Sequence, residues 1–449
     1  RARQILTKKR SVRLVHEYFE NGFNAAIWLL IIRERIYVNI DLRKLLSATI
    51  LPIILLSAGY YFIPQLSKPL PEVIQVTLPY LPFIVFLIGM GLSWIFHHSR
   101  EFNLFLLFSI IYIALDNYIW TKGLKVDFQL TYLLLVTLIP VNYLLNFLLK
   151  ERGILNKFGI RRFILLAAQL YCIMWLLEHP YTPLKELSTY TIFNYGVFTL
   201  TSITQPILLL IAITGSIILI RLLQTSSILT AGIFSSLIAI TSALHFYQQP
   251  QLSTVFIIIA GLLIIISITI NAYSLAYLDE LTNLPSRRAL MQNISTLGKQ
   301  YCIAMVDVDH FKKFNDTYGH DIGDQVLNKL AGQLWQVRGG KAFRYGGEEF
   351  TLVFANKNIN EAKLFCEELC KKIENSPFML RDKKPPKTKK QANTKKTKEN
   401  SAKPLTITVS IGLAEPTSST LKVEEVIKQA DKALYKAKKN GRNQVAIIT

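Results

Sequence analysis

Long apolar runs decide most of what this chain can fold into. A helix needs about 17 to 23 residues to cross a bilayer's hydrocarbon core. Windows of that length give eight candidate spans: 44–64, 79–96, 103–120, 129–149, 162–178, 205–223, 228–247 and 254–276. Gln169 and Cys172 interrupt the fifth and Gly215 the sixth. With 51% hydrophobic and only 18% charged residues over a length of 449, the chain is too apolar for an ordinary soluble protein, although that length allows two or three domains.

Loop charge predicts how such a bundle is oriented. With the amino terminus inside, inner segments hold 17 Lys and Arg: ten through Lys44, where the first span begins, Arg100 in loop 97–102, five between 150 and 162, and Arg221. Outer loops hold four: Lys68, Lys122, Lys125 and Lys185. The bias favours eight spans with both ends cytoplasmic, whereas seven spans would put one end outside against it. The formal charge of +21 raises nucleic acid as a partner, but its location argues otherwise. Residues 1–44 contribute +6 and residues 381–403 contribute +8. The first is a juxtamembrane basic stretch expected near anionic lipid. The second, Arg381 to Lys403, is low-complexity and reads as a disordered insertion between a helix and a strand over 405–411. It is expected to be a solvated loop, with anionic lipid as the alternative, and no nucleic-acid partner is expected.

The sequence opens on Arg1 rather than methionine, which leaves its true start open. Residues 24–32 are apolar but too short to span, and no small-residue cleavage pattern follows. A short surface or buried helix is expected there rather than a signal peptide. Cys172, Cys302, Cys366 and Cys370 lack the ligand spacing of a zinc site and are expected to be buried apolar side chains. Asp116, Asn117 and His245 fall near outer ends of spans, and Glu178, His179, Tyr181, Tyr190 and Tyr195 flank an outer loop. Two readings stand: an outward-facing ligand or ion site, or polar groups reaching the membrane interface.

The last third is different. Gly346-Gly347-Glu348-Glu349-Phe350 reads as a hairpin tip, with a two-residue primed turn setting an acidic pair at a sheet edge and Thr351 to Phe354 as the returning strand. Upstream, Tyr301 to Asp309 is a buried strand ending in the carboxylates Asp307 and Asp309. Magnesium takes hard oxygen ligands, one or two carboxylates plus phosphates, which a strand end beside an acidic hairpin offers. A helix follows with Ile322, Val326, Leu327, Leu330 and Leu334 on one face. A later helix from Asp431 ends in Lys436, Lys438 and Lys439, with Gly441 just beyond it.

These motifs resemble the GGDEF-domain diguanylate cyclases of bacteria. The resemblance is carried by Asp279 to Arg288, Asp307 to Asp316, Gly319 to Asp324, the Gly-Gly-Glu-Glu-Phe run, Ser410 to Gly412 and Lys438 to Arg442, over roughly residues 277–449. It implies an α+β domain with a central, mostly antiparallel sheet and helices on both faces. It also implies a homodimer in which each domain holds one GTP, the two forming cyclic di-GMP and two pyrophosphates. Carried over by position, Asp307, Glu348 and the Val308 carbonyl match Mg²⁺ ligands, with Mn²⁺ as the alternative ion. Glu348 also matches the proposed acceptor of the 3′-hydroxyl proton, and Glu349 would assist at the metal. Asn315 and Asp324 match the guanine-reading pair, His310 and Phe311 line that pocket, and Lys438 and Arg442 match the phosphate-holding cations.

Some positions depart from the pattern. Where many members carry the Arg-x-x-Asp that binds inhibitory product, this chain has Val337 and Gly340, so weak or absent product feedback is expected. Asn283 and Ser286 replace the usual glycine and asparagine of a turn away from the metal and guanine positions. The expected organisation is a basic cytoplasmic segment 1–43, a transmembrane sensory module 44–276 and a cyclase domain 277–449, in a bacterial inner membrane with both ends cytoplasmic. The last span leads almost directly into the Asp279 motif, leaving no room for a further sensor domain. The expected function is cyclic di-GMP synthesis controlled by the membrane module in response to an unnamed stimulus. The alternative is a membrane receptor or transporter whose inactive domain only binds GTP.

Overall fold

The computed structural model describes residues 42–61, 70–120, 128–179, 186, 190, 201–380, 403–417 and 422–448. The expectations for segment 1–41, for Lys68, Lys122, Lys125 and Lys185, for Tyr181 and Tyr195, and for the Lys-rich insertion through residue 402 lie outside these residues. The chain divides into two compact units, Arg1–Asn271 and Ala272–Thr449.

The first unit is helical. Its helices are α1 (Leu42–Tyr61), α2 (Glu72–Thr77) running through a 3₁₀ turn into α3 (Leu81–Ile95), α4 (Ser99–Ala114), α5 (Phe128–Leu148), α6 (Lys157–Glu178), α7 (Gln205–Thr225), α8 (Ile228–His245) and most of α9 (Pro250–Tyr277), which ends beyond Asn271. Among the described residues, six helices are long and apolar enough to cross a membrane: the continuous Glu72–Ile95, Gln129–Leu148 and α6 to α9. The other two candidate spans fall on α1, whose shorter apolar stretch is Pro52–Tyr61, and on α4, which continues as a π turn over Leu115–Trp120.

Helix α4 is innermost: Leu104, Phe105, Leu107, Phe108, Ile111 and Leu115 are all fully buried. An apolar residue on every side of a helix suits that position. Some hydroxyls inside the unit are paired: Tyr143 and Ser236 lie 2.7 Å apart, and Tyr132 donates to the Leu244 carbonyl at 2.8 Å. By contrast, α6 turns Tyr171, Met174 and Trp175 outward, an apolar surface that lipid rather than water would cover. This corrects the expectation for Cys172, which is exposed because it lies on that outward side, whereas Cys302, Cys366 and Cys370 are buried.

Charged groups collect where α4 begins and α5 ends. Glu151 accepts from Ser99 N–H at 2.9 Å, Ser99 Oγ at 2.6 Å and Arg100 N–H at 3.1 Å, pairing the free donors of the α4 amino terminus. Arg162, at the start of α6, donates to Ser99 Oγ and to the Leu149 carbonyl, each at 2.8 Å. The polar residues near the opposite ends are engaged locally: Asn117 donates to the Ile113 carbonyl, His245 lies 3.2 Å from Thr201 Oγ1, and His179 stacks on Trp175.

The second unit is α+β. Its elements are α10 (Arg287–Ile294), β1 (Tyr301–Val308), α11 (Phe311–Tyr318), α12 (His320–Leu334), β2 (Lys341–Gly346), β3 (Glu349–Ala355), α13 (Ile359–Glu374), β4 (Phe378–Leu380), β5 (Lys403–Leu405), β6 (Val409–Ala414), α14 (Val423–Lys439) and β7 (Val445–Ile447). The main sheet runs β2-β3-β1-β6-β7, antiparallel except for the parallel β6–β7 pair. Every residue of β1 is buried because helices cover both faces. Cys302, Ala304, Val306 and Val308 pack with α12 and α13, while Tyr301, Ile303 and Met305 pack with α10 and α14. The Lys-rich insertion leaves between β4 and β5, which pair antiparallel, rather than between a helix and a strand. The strand expected over 405–411 is β6, shifted to Val409–Ala414 because its pairing with β1 covers that stretch.

Candidate active site at the end of the central strand

β1 delivers Asp307 to the rim of the sheet, where it is paired across the strands with Glu349 on one side and Ser410 on the other. The β2–β3 hairpin closes through Gly346 opposite Glu349, so Gly347 and Glu348 are the two loop residues. Gly347 supplies the positive φ, +52°, that a primed hairpin turn needs at its first loop position. Glu348 therefore sits in the turn itself and Glu349 starts β3, one residue later than a turn made of both glycines would give.

Two carboxylates directly opposite on neighbouring strands repel each other. Burial pushes Asp307 above the usual carboxylate range, Lys438 works against that, and Asp309 adds to it. Burial raises Glu348 and Glu349 as well, with Asp307 as the next cause for both. Lys438, in the last turn of α14, answers this charge by direct contact and puts Nζ 2.8 Å from Asp307 Oδ1. Arg442 follows in the turn after α14 and acts on Asp307 from further off.

Asp307, Glu348 and Glu349 form a hard-oxygen donor set that already accommodates a positive charge, which fits a divalent cation. Among the described residues, no three His, Cys, Asp or Glu side chains close a metal site by themselves. A cation here would also need backbone and ligand oxygens.

A second cluster is built by α11 and α12. Asn315 Oδ1 points at the first turn of α12, where a Cβ on Gly323 would lie 1.9 Å from it. That oxygen is enclosed and has no hydrogen-bond partner among the described residues, an arrangement that costs about 1–3 kcal/mol unless a donor arrives. Phe311 is buried beside Gly323, while His310 and Asp324 are exposed.

Sequence reasoning missed two members of this neighbourhood. Arg344 Nη1 donates to Asp279 Oδ1 at 2.6 Å and Nη2 to the Gly347 carbonyl at 2.7 Å, joining the start of the unit to the hairpin tip. Asp309, one residue past β1, turns its carboxylate toward Thr408, Ser410 and Asn443. Arg344 stands two residues before the Gly-Gly-Glu-Glu-Phe run and Asp309 inside the Asp307 motif, but Asp279, Thr408, Ser410 and Asn443 lie 65 to 134 positions from the residues they pair with.

Residues 276–389 and 381–444 match the family model described as "Diguanylate cyclase, GGDEF domain". This part of the chain is a GGDEF domain. Diguanylate cyclase VdcA of Vibrio cholerae is 35% identical to it over 175 residues, 38% of this chain and 46% of that protein. Response regulator PleD of Caulobacter vibrioides is 32% identical over 184 residues, 39% of this chain and 37% of that one. The chain thus spans less than half the length of either relative. The solved GGDEF domain of DgcB from Caulobacter crescentus, in complex with c-di-GMP, is 32% identical and covers 38% of this chain and 95% of that chain, with a TM-score of 0.33.

Proposed function

We propose that the chain is a membrane-bound diguanylate cyclase that condenses two GTP into cyclic di-GMP and two pyrophosphates. The observation that carries this reading is the gathering of Asp307, Glu348, Glu349 and Lys438 at one end of the sheet of a GGDEF domain. Asn315 and Asp324 read the guanine edge, the amide and carboxylate facing ring donors and acceptors, and Phe311 and His310 line the pocket. Lys438 and Arg442 hold the phosphates. Asp307, Glu348 and the Val308 carbonyl would hold Mg²⁺, with Mn²⁺ as the alternative; the ion would neutralise charge growing on the α-phosphate and the departing pyrophosphate. Two domains face each other, and each 3′-hydroxyl oxygen bonds to the opposite α-phosphorus as its bond to the pyrophosphate oxygen breaks. Glu348 takes the hydroxyl proton, with Glu349 assisting.

The same reading places α1 to α9 in a bacterial inner membrane as eight spans with both ends cytoplasmic, α1 and α4 being two of them. The charge bias supports it, as does the gathering of Arg100, Glu151 and Arg162 where α4 and α6 begin. These helices would sense a stimulus and control the cyclase. Incubating the full-length protein with GTP and Mg²⁺ tests the assignment by mass spectrometry of the product. Glu348→Gln should abolish product while the protein stays folded. Unchanged product from that variant would reject the site.

A further inference from the structure

Asp309 is two residues after Asp307, and on a continued strand the two carboxylates would share a face. They do not share a task. Asp309 Oδ1 accepts from Ser410 Oγ at 2.6 Å, and Oδ2 accepts from Thr408 Oγ1 at 2.8 Å and from the Asn443 backbone N–H at 3.1 Å. Its own N–H donates to the Thr408 carbonyl at 3.0 Å, so the main chain beneath the carboxylate is fixed too.

The third of those donors is the informative one. Asn443 closes a turn in which Gly441, Arg442 and Asn443 all have positive φ, +108°, +66° and +45°. Two successive non-glycine residues in the left-handed region are costly, and such backbone persists only where surrounding contacts over-determine it. Arg442 N–H and Gln444 Nε2 tie the turn to the Ala437 carbonyl at the end of α14. Asp309 ties it from the opposite side, to the strand that carries Asp307. Ser410 is fully buried, so the anchor itself has little freedom.

We propose that Asp309 is a positioning residue for the triphosphate. It holds the Gly441–Asn443 turn so that Arg442 faces the phosphates in register with Lys438. The inference rests on the reading of Lys438 and Arg442 as phosphate-holding cations. A carboxylate suits the task because two oxygens accept three donors at once, one of them a main-chain N–H that cannot turn elsewhere.

The test uses full-length protein with Mg²⁺ and compares the affinity of a non-cleavable α,β-methylene GTP analogue with that of GMP, which lacks the outer phosphates. Asp309→Ala should weaken the triphosphate analogue about tenfold and GMP less than twofold. Asp309→Asn should fall between Asp309→Ala and wild type, because its amide keeps one acceptor oxygen for the Asn443 N–H. On an Arg442→Ala background, Asp309→Ala should add less than twofold, since the residue it positions is gone. Equal losses for both ligands, or effects of the two substitutions that multiply, would overturn the proposal. Should Asp309→Ala not fold, Asp309→Asn carries the same comparison, with an expected loss of about threefold confined to the triphosphate. A wild-type protein that binds neither ligand would reject the functional reading itself, whereas binding with an indifferent Asp309 would reject only this inference.

Discussion

Lys438 holds its ammonium group 2.8 Å from the Asp307 carboxylate, joining the last turn of α14 to the end of β1 across 131 positions of sequence. The side chain of Asp307 is 7% exposed and that of Lys438 is 32% exposed, so the pair is unequal: the acid is committed to the interior and the base reaches in from the rim. On the proposed reading, the ammonium supplies positive charge beside the acid when the nucleotide is absent and would turn to phosphate when a metal ion takes over the acid.

Lys438→Met should therefore act twice. Without nucleotide it leaves a buried carboxylate beside Glu348 and Glu349 with no close cation, costing about 1–2 kcal/mol after discounting for the lysine's exposure. With nucleotide it should raise the KM for GTP about tenfold or more. Thermal melting with and without Mg²⁺, and steady-state turnover, check the two effects.

The acidic cluster also sets a pH dependence. Asp307, Glu348 and Glu349 are all raised above their ordinary values. Their contribution to stability is thus fully present below the unfolded carboxylate range, near pH 4, and is lost as pH rises through the raised values. In EDTA the melting temperature of this unit should drop over that interval, and Mg²⁺ should restore it at neutral pH. Glu349→Gln should flatten the dependence. Melting curves between pH 4 and 8 measure it.

Arg344 connects Asp279, two residues beyond α9, to the Gly347 carbonyl in the hairpin turn. Burial alone would raise the Asp279 pKa, but hydrogen bonds from Thr282 and Arg344 hold it below the usual range. Its stabilising contribution is therefore present above about pH 4 and lost as pH falls through the depressed value. Arg344→Lys cannot make both contacts in the same planar geometry. It should lower kcat about tenfold while changing the KM for GTP less than threefold, as read in initial-rate measurements, because Glu348 loses its support while the nucleotide-holding residues stay in place.

Gly323→Ala places a Cβ where Asn315 Oδ1 now lies. The amide must move, so the variant should lose at least tenfold in its preference for GTP over ATP, measured by competition binding, with little change in melting temperature.

Val337 and Gly340 stand where a product-binding Arg and Asp would be, and the nearby Arg338 pairs instead with Glu368 at 3.6 Å on the surface. Inhibition by cyclic di-GMP should be weak or absent. A sub-micromolar inhibition constant in a turnover assay would contradict this.

The helices of the first unit were legible because an apolar run of this length has few other ways to satisfy its backbone. The central position of α4 was not, since a helix apolar on every side gives no directional pattern to read. In the second unit, β1, α12 and the hairpin followed from their apolar spacing and turn residues. The hairpin turn shifted by one residue because Gly346 joined the ladder opposite Glu349. Asp307 and Asp309 looked alike in sequence, yet β1 ends between them and the second carboxylate serves a distant loop. Cys172 looked like a core residue because its helix is apolar, and apolar residues on α6 face outward.

The central claim is that this acidic strand end makes cyclic di-GMP. Full-length protein in membranes or detergent, given GTP and Mg²⁺, should release cyclic di-GMP and two pyrophosphates per ring, quantified by mass spectrometry and a phosphate assay. Folded, dimeric protein that binds GTP but leaves it intact would contradict the claim and leave a nucleotide-binding domain joined to an apolar helical unit.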